Sequence, residues 1–146
     1  MKNSREIMPE LVSSNNFVNC EISSLHLDSR DVKEGSVFFA IKGTNLNGID
    51  FIEEARSKGA KLIISEELIH DKSIVHCDNL KELLGKFASR FYSYASKELT
   101  TFCATGTNGK TTSVETYANI CKRLGKQCGY ISTIGKSING RVVDEP

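Results

Sequence analysis

Leu99-Thr-Thr-Phe-Cys-Ala-Thr-Gly-Thr-Asn-Gly-Lys-Thr-Thr112 joins a run of strand-forming residues to a glycine-rich turn. A helical stripe follows at once: Val114, Tyr117, Ala118, Cys121 and Leu124 share one face, and Gly125 supplies the stop. Strand, glycine turn and helix in this order are the context a phosphate-binding loop requires. Ala104 stands where the pattern has its first glycine, and Gly109-Lys110-Thr111 completes it. Gly106 and Gly109 lack a Cβ, so the backbone can fold tightly and aim its N–H groups at a polyphosphate at the helix start. Lys110 adds a point charge; at an effective dielectric of about 20, unit charges about 4 Å apart attract by about 4 kcal/mol. The Thr111 hydroxyl suits a Mg²⁺ that bridges the phosphates.

Upstream, Ser36-Val-Phe-Phe-Ala-Ile41 reads as a buried strand between Gly35 and Gly43. A polar loop, Asn45-Leu-Asn-Gly48, leads to a helix with Phe51, Ile52 and Ala55 on one face and Gly59 as its left-handed end. Lys61-Leu-Ile-Ile-Ser65 is the next strand, so the first two run parallel through a right-handed crossover. A third strand is expected over Ser73–Cys77. Asn79 and Glu82 have capping-box spacing, and Leu80, Leu83, Leu84, Phe87, Ala88, Phe91 and Ala95 recur at helical intervals, which predicts a helix over 79–96. Gln127–Ser132 reads as a strand, and Asn139-Gly140 marks a hairpin over Ile134–Val143. The class is α/β: a small N-terminal mixed α/β domain over 1–98, then the first strand-loop-helix-strand part of a phosphate-loop domain over 99–146.

The charge balance of 19 Lys and Arg against 18 Asp and Glu gives no broad field for nucleic acid or an anionic membrane, so an anion must be held locally. Neither a signal peptide nor a membrane-spanning stretch is legible, which implies the cytoplasm. The five cysteines are scattered and odd in number, and read as reduced core thiols. His26, His70 and His76 have no helical pairing that suits zinc. Phe38, Phe39, Phe87 and Phe91 read as core. Asp28 and Arg30 either pair with each other or serve a ligand, whereas Ser29 on the opposite face of an extended segment suits a ligand contact.

The Thr105-Gly-Thr-Asn-Gly-Lys-Thr111 run resembles the Mur ligases, and three further stretches sharpen the likeness. Leu27-Asp-Ser-Arg30 with Gly35-Ser-Val-Phe-Phe-Ala40 is similar to the family's uridine-nucleotide domain. Asn47-Gly-Ile-Asp-Phe-Ile52 continues it, although aspartate is usual where Asn47 stands. Ile131-Ser-Thr-Ile-Gly135 is similar to the tripeptide-synthetase branch.

The resemblance implies ATP contacts at Gly106, Thr107, Asn108, Gly109, Lys110, Thr111 and Thr112, with Lys110 catalytic and Thr111 on Mg²⁺. Contacts to the UDP part fall on Leu27, Ser29, Thr44, Asn45 and Leu46. The implied reaction is ATP-dependent amide-bond formation in peptidoglycan synthesis, between UDP-MurNAc-L-Ala-D-Glu and a diamino acid, meso-diaminopimelate ahead of L-lysine, by a monomer. A different phosphate-loop kinase or hydrolase, or a non-catalytic nucleotide-binding module, are the alternatives. The acidic magnesium ligand and the amino-acid site are expected beyond Pro146. The purified 146 residues are therefore expected to show no ATPase or ligase turnover; measurable turnover would overturn that expectation.

Overall fold

Two apolar tetrapeptides, Val37-Phe-Phe-Ala40 and Leu62-Ile-Ile-Ser65, are buried along their whole length and set the centre of the first unit. A strand with both faces covered belongs in a parallel sheet roofed on each side. The computed structural model, which describes residues 1–44 and 46–144, divides into two compact units, Met1–Glu98 and Leu99–Pro146.

The first unit runs through β1 (Lys2–Asn3), α1 (Ser4–Ile7), β2 (Glu21–Ile22), β3 (Leu25–His26), β4 (Val37–Ala40), α2 (Ile52–Ser57), β5 (Leu62–Ser65), β6 (Ile74–His76) and α3 (Leu80–Phe91). Strands β3 to β6 form a parallel sheet in chain order, with Phe38 opposite Ile63 and Ile63 opposite Ile74. Strand alternation sorts the side chains into two layers. Val37, Phe39, Leu62, Ile64 and Val75 pack with Ile7 and Met8 of the N-terminal turn and with Leu80, Leu83 and Phe87 of α3. Phe38, Ala40, Ile63 and Ile74 pack with Val32 and with Ile52 and Ala55 of α2. The aromatic core expectation holds, with Phe39 and Phe87 stacked at 6.2 Å and Phe91 partly buried against them.

Gly48 opens the segment leading to α2, and its N–H donates to the Ile41 carbonyl at 2.9 Å. A Cβ there would lie 2.6 Å from the Ile41 nitrogen, so this approach of two backbones admits only glycine.

Helix α3 stops at Phe91, five residues short of the expected end. Ser93 and Tyr94 turn left-handed at φ 56 and 59. The Arg90 carbonyl, which would accept from Tyr94 N–H in a continuing helix, accepts Ser93 N–H at 3.1 Å and the Lys2 ammonium at 2.8 Å, while Tyr94 N–H donates to the Ser89 carbonyl at 2.6 Å. The expected capping box is absent as well, since Asn79 makes no side-chain cap and its Oδ1 accepts from the Cys77 thiol at 3.5 Å. Arg90 grips Glu10 with two bonds of 2.8 and 2.7 Å and the Ile7 carbonyl at 3.0 Å, which fixes the N-terminal turn to α3.

The second unit contains α4 (Lys110–Arg123), β7 (Gly129–Ser132), β8 (Gly135–Ile138) and β9 (Arg141–Asp144). The three strands form an antiparallel meander. Asn139 and Gly140, at φ 51 and 79, make the expected two-residue turn. The strand expected over Leu99–Ala104 is not formed. Extended backbone needs a ladder partner, and β7, β8 and β9 pair among themselves. Leu99 and Phe102 are left exposed, Phe102 stacking on Tyr117 at 4.6 Å. Among the described residues of this unit only Gly135 and Ser137 are buried, so it has no apolar core of its own. The cysteine expectation is corrected likewise: all five are free, but only Cys77 is buried and Cys103 is exposed.

Asp71 ties the start of β6 to α2, accepting from Ser73 N–H at 2.8 Å, Ser73 Oγ at 2.7 Å and Arg56 at 2.7 Å. These bonds lower its carboxyl from 3.8 to about 2, the Ser73 amide first among the causes. A depressed folded-state pKa gives stability that is complete above about pH 4 and is lost as pH falls through about 2. Urea midpoints between pH 5 and pH 2 should fall more steeply for the native chain than for Asp71→Asn, and equal slopes would contradict this role.

Candidate phosphate-binding loop

Gly109 occupies the N-cap of α4 in the left-handed region at φ 77, where a side chain is strained. Gly106 lies at φ 143, and the chain turns sharply between the two into the helix. The Gly109 carbonyl accepts Ser113 N–H at 2.9 Å and closes the first helical turn. The N–H groups just before it, those of Lys110, Thr111 and Thr112, have no intrahelical acceptor, and they carry the positive end of the helix dipole. No acidic residue lies in this first turn, and Lys122 and Arg123 sit in the last, so an anion at the start meets no local repulsion.

Lys110 bends back over the loop and donates to the Gly106 carbonyl at 2.6 Å and the Thr107 carbonyl at 3.3 Å. Its ammonium therefore stands above the turn, where a phosphate would compete for it. Thr105 to Lys110 are exposed and Thr111 is half-buried, its hydroxyl 3.4 Å from that of Thr133. Thr111 offers one hard oxygen of the kind Mg²⁺ accepts beside phosphate oxygens and water. Among the described residues no group of three His, Cys, Asp or Glu side chains could hold a metal without such help.

The residues named for the UDP part are less gathered. Leu27 and Leu46 are exposed at 56% and 67%, and Thr44 is exposed. Asn45 lies outside the described residues. Ser29 is buried and donates to Glu54 Oε2 at 2.6 Å, while Glu54 also accepts from Lys58 at 2.8 Å. Asp28 and Arg30 pair at 2.6 Å, and the guanidinium holds the Asp28 carboxyl down at about 2. Asn47, in the position where aspartate is usual, donates to Glu67 at 2.8 Å.

Beside Leu27 runs an apolar groove of about 280 Å³, lined also by His26, Phe39, Gly85, Ala88 and Tyr92. The sequence reading missed it. Its signal was the small pair Gly85 and Ala88, three apart on α3, which leaves the helix face hollow.

A parallel α/β unit followed by a glycine turn on a helix start defines an α/β protein with the form of a phosphate loop, and comparison refines this. A profile described as "Mur ligase family, catalytic domain" matches residues 21–92, a stretch that ends before the glycine loop. The chain is 35% identical over 138 residues to a UDP-N-acetylmuramoyl-L-alanyl-D-glutamate--2,6-diaminopimelate ligase of Cytophaga hutchinsonii, covering 91% of this chain and 28% of that one. A solved structure of an enzyme so named shares the fold at TM-score 0.70, with 24% identity, 97% of this chain and 29% of the other. A MurF ligase of Thermotoga maritima, solved in complex with ADP, superimposes at TM-score 0.51 with 33% identity over 68% of this chain and 23% of its own. The chain belongs to the Mur ligase family. It spans about a quarter of the length of these relatives.

Lys110→Met removes the ammonium and leaves the two glycines in place. Titration of the chain with ADP should show affinity reduced roughly tenfold or more, given the scale of the charge interaction. Unchanged affinity would remove Lys110 from the phosphate site.

Proposed function

We propose that the chain supplies the uridine-nucleotide-binding and ATP-phosphate-binding parts of a ligase that adds a diamino acid, meso-diaminopimelate, to UDP-MurNAc-L-Ala-D-Glu in peptidoglycan synthesis. The observation that carries this reading is the cradle at the start of α4, where Gly109 turns left-handed and Lys110 stands over the loop. The names of the relatives support the substrate, and the ADP bound to the Thermotoga maritima ligase supports the nucleotide.

In this reading residues 1–98 form the substrate domain and 99–146 begin the ATP domain. ATP phosphorylates the terminal carboxylate of the muramyl dipeptide, because a carboxylate repels nucleophiles until it is activated. The amine of the diamino acid then attacks the acyl phosphate, and phosphate leaves. Gly106 to Thr112 bind the ATP phosphates, Lys110 neutralises charge that moves toward the β and γ oxygens, and Thr111 lends its hydroxyl to Mg²⁺. Leu27 and the groove beside it seat the uracil ring, with Ser29, Thr44, Asn45 and Leu46 as further UDP contacts. Ser29 serves the site through Glu54, which its hydroxyl already engages. The protein works as a cytoplasmic monomer. Among the described residues no helix is long and apolar enough to cross a membrane.

UDP titration tests the substrate half. Saturable binding is expected, and Gly85→Leu should weaken it severalfold, since a Cβ at Gly85 meets nothing within 4 Å and the larger side chain would fill the groove. Absence of UDP binding would overturn the assignment of residues 1–98, and equal affinity of the variant would remove the groove from it.

A further inference from the structure

The sequence contains three Asn-Gly pairs, Asn47-Gly48, Asn108-Gly109 and Asn139-Gly140, and the structure holds them differently. Asparagine is a labile residue, and most so before glycine, which puts no side chain in the way of its own nitrogen. Cyclisation needs a side-chain amide that can swing onto the next nitrogen, and a nitrogen that can give up its proton. Asn47 meets neither need: its Nδ2 donates to Glu67 at 2.8 Å, and the Gly48 N–H donates to the Ile41 carbonyl at 2.9 Å. Asn139 is locked in the hairpin turn, its Oδ1 accepting Cys128 N–H at 3.1 Å and its own N–H donating to the Cys128 carbonyl at 2.8 Å. Asn108 is exposed, and among the described residues neither its side chain nor the Gly109 N–H has a hydrogen-bond partner. Positive charge is also near that nitrogen: Gly109 caps the start of α4, and the Lys110 ammonium is held over the same loop on the Gly106 and Thr107 carbonyls. Both ease loss of the amide proton.

We propose that Asn108 is a modification site, at which the glycine loop converts its own asparagine to aspartate and isoaspartate with water as the only co-reactant. The Gly109 nitrogen, having lost its proton, attacks the Asn108 side-chain carbonyl carbon. A ring C–N bond forms, the bond to the side-chain nitrogen breaks, and that nitrogen leaves as ammonia with the proton. Water then adds to either carbonyl of the cyclic imide and breaks one of its two C–N bonds. One opening gives aspartate on the native main chain, and the other gives isoaspartate, with the main chain longer by a methylene. One water is consumed, one ammonia is released, and nothing is oxidised or reduced. The product carboxylate lies beside Lys110 at a helix start that favours negative charge, so the loop then carries its own anion. The loss of phosphate affinity this entails rests on the reading of the loop as the ATP site, whereas the conversion itself does not.

The test is incubation of the folded 146-residue chain at neutral and mildly alkaline pH, followed by trypsin and mass spectrometry against an unincubated sample. Cleavage after Lys42, Arg56, Lys97, Lys110, Lys136 and Arg141 puts the three pairs on three peptides. The expected result is the mass gain of an amide-to-acid exchange at Asn108, roughly tenfold or more faster than at Asn47 or Asn139, and faster as pH rises. In urea the three rates should converge, because the fold sets the difference. Equal rates in the folded chain, a gain led by Asn47 or Asn139, or the same preference in urea would overturn the proposal. The converted chain should bind ADP roughly tenfold or more weakly than the fresh chain. Equal ADP affinity of the two would remove the inhibitory role. A fresh chain that binds no ADP would instead defeat the ATP-site reading, while the mass gain at Asn108 still decides the conversion.

Discussion

Burial of both faces of one short parallel sheet is the constraint on which the first unit depends. Val37-Phe-Phe-Ala40 and Leu62-Ile-Ile-Ser65 expose almost nothing, and each alternate residue needs a roof. One roof is α2, joined to the sheet by the crossover that right-handed connection rules require. The other is α3 with the N-terminal turn, held by Arg90 across to Glu10 and Ile7. The Leu27 groove exists because α3 crosses the sheet with Gly85 and Ala88 on the covering face rather than larger residues.

The second unit rests on different physics. Its helix and meander are specified locally, by a glycine cap, a left-handed stop and a two-residue turn, with no buried apolar side chain among the described residues to bind them together. Tyr117, Ile120, Leu124 and Phe102 stay exposed. Hydrophobic burial is the dominant favourable contribution to folding, so a region with only half-buried apolar side chains leans on hydrogen bonds, turn geometry and the Phe102–Tyr117 stack.

Most of the architecture was legible because it is local. The apolar runs at Ser36, Lys61 and Ser73 became β4, β5 and β6, and the glycine loop before Val114 became the start of α4. The errors mark where distant partners decide. Leu99–Ala104 carries Leu, Phe, Cys and Ala among strand-forming threonines yet stays without a ladder, since strand formation depends on a neighbour and not on composition alone. The helical stripe of α3 continues to Ala95, but the Arg90 carbonyl that the next turn needs is taken by Ser93 N–H and by Lys2, remote in sequence. Ser29 reads as lying on an extended segment, opposite Asp28 and Arg30, whereas a 3-10 turn over Ser29–Asp31 buries it against Glu54. The residues named for the uridine nucleotide sit on separate loops and are less gathered in the structure than the glycine turn at the start of α4.

The two bonds from Lys110 to its own loop have a thermodynamic corollary. In the proposed reading, a nucleotide arriving at the glycine turn exchanges with internal acceptors instead of meeting an idle charge. The heat released on association is the difference between two sets of bonds, so it understates the strength of the contacts finally formed. The same internal tether restrains the glycine turn beforehand, so in that reading less ordering entropy is still to be lost on capture.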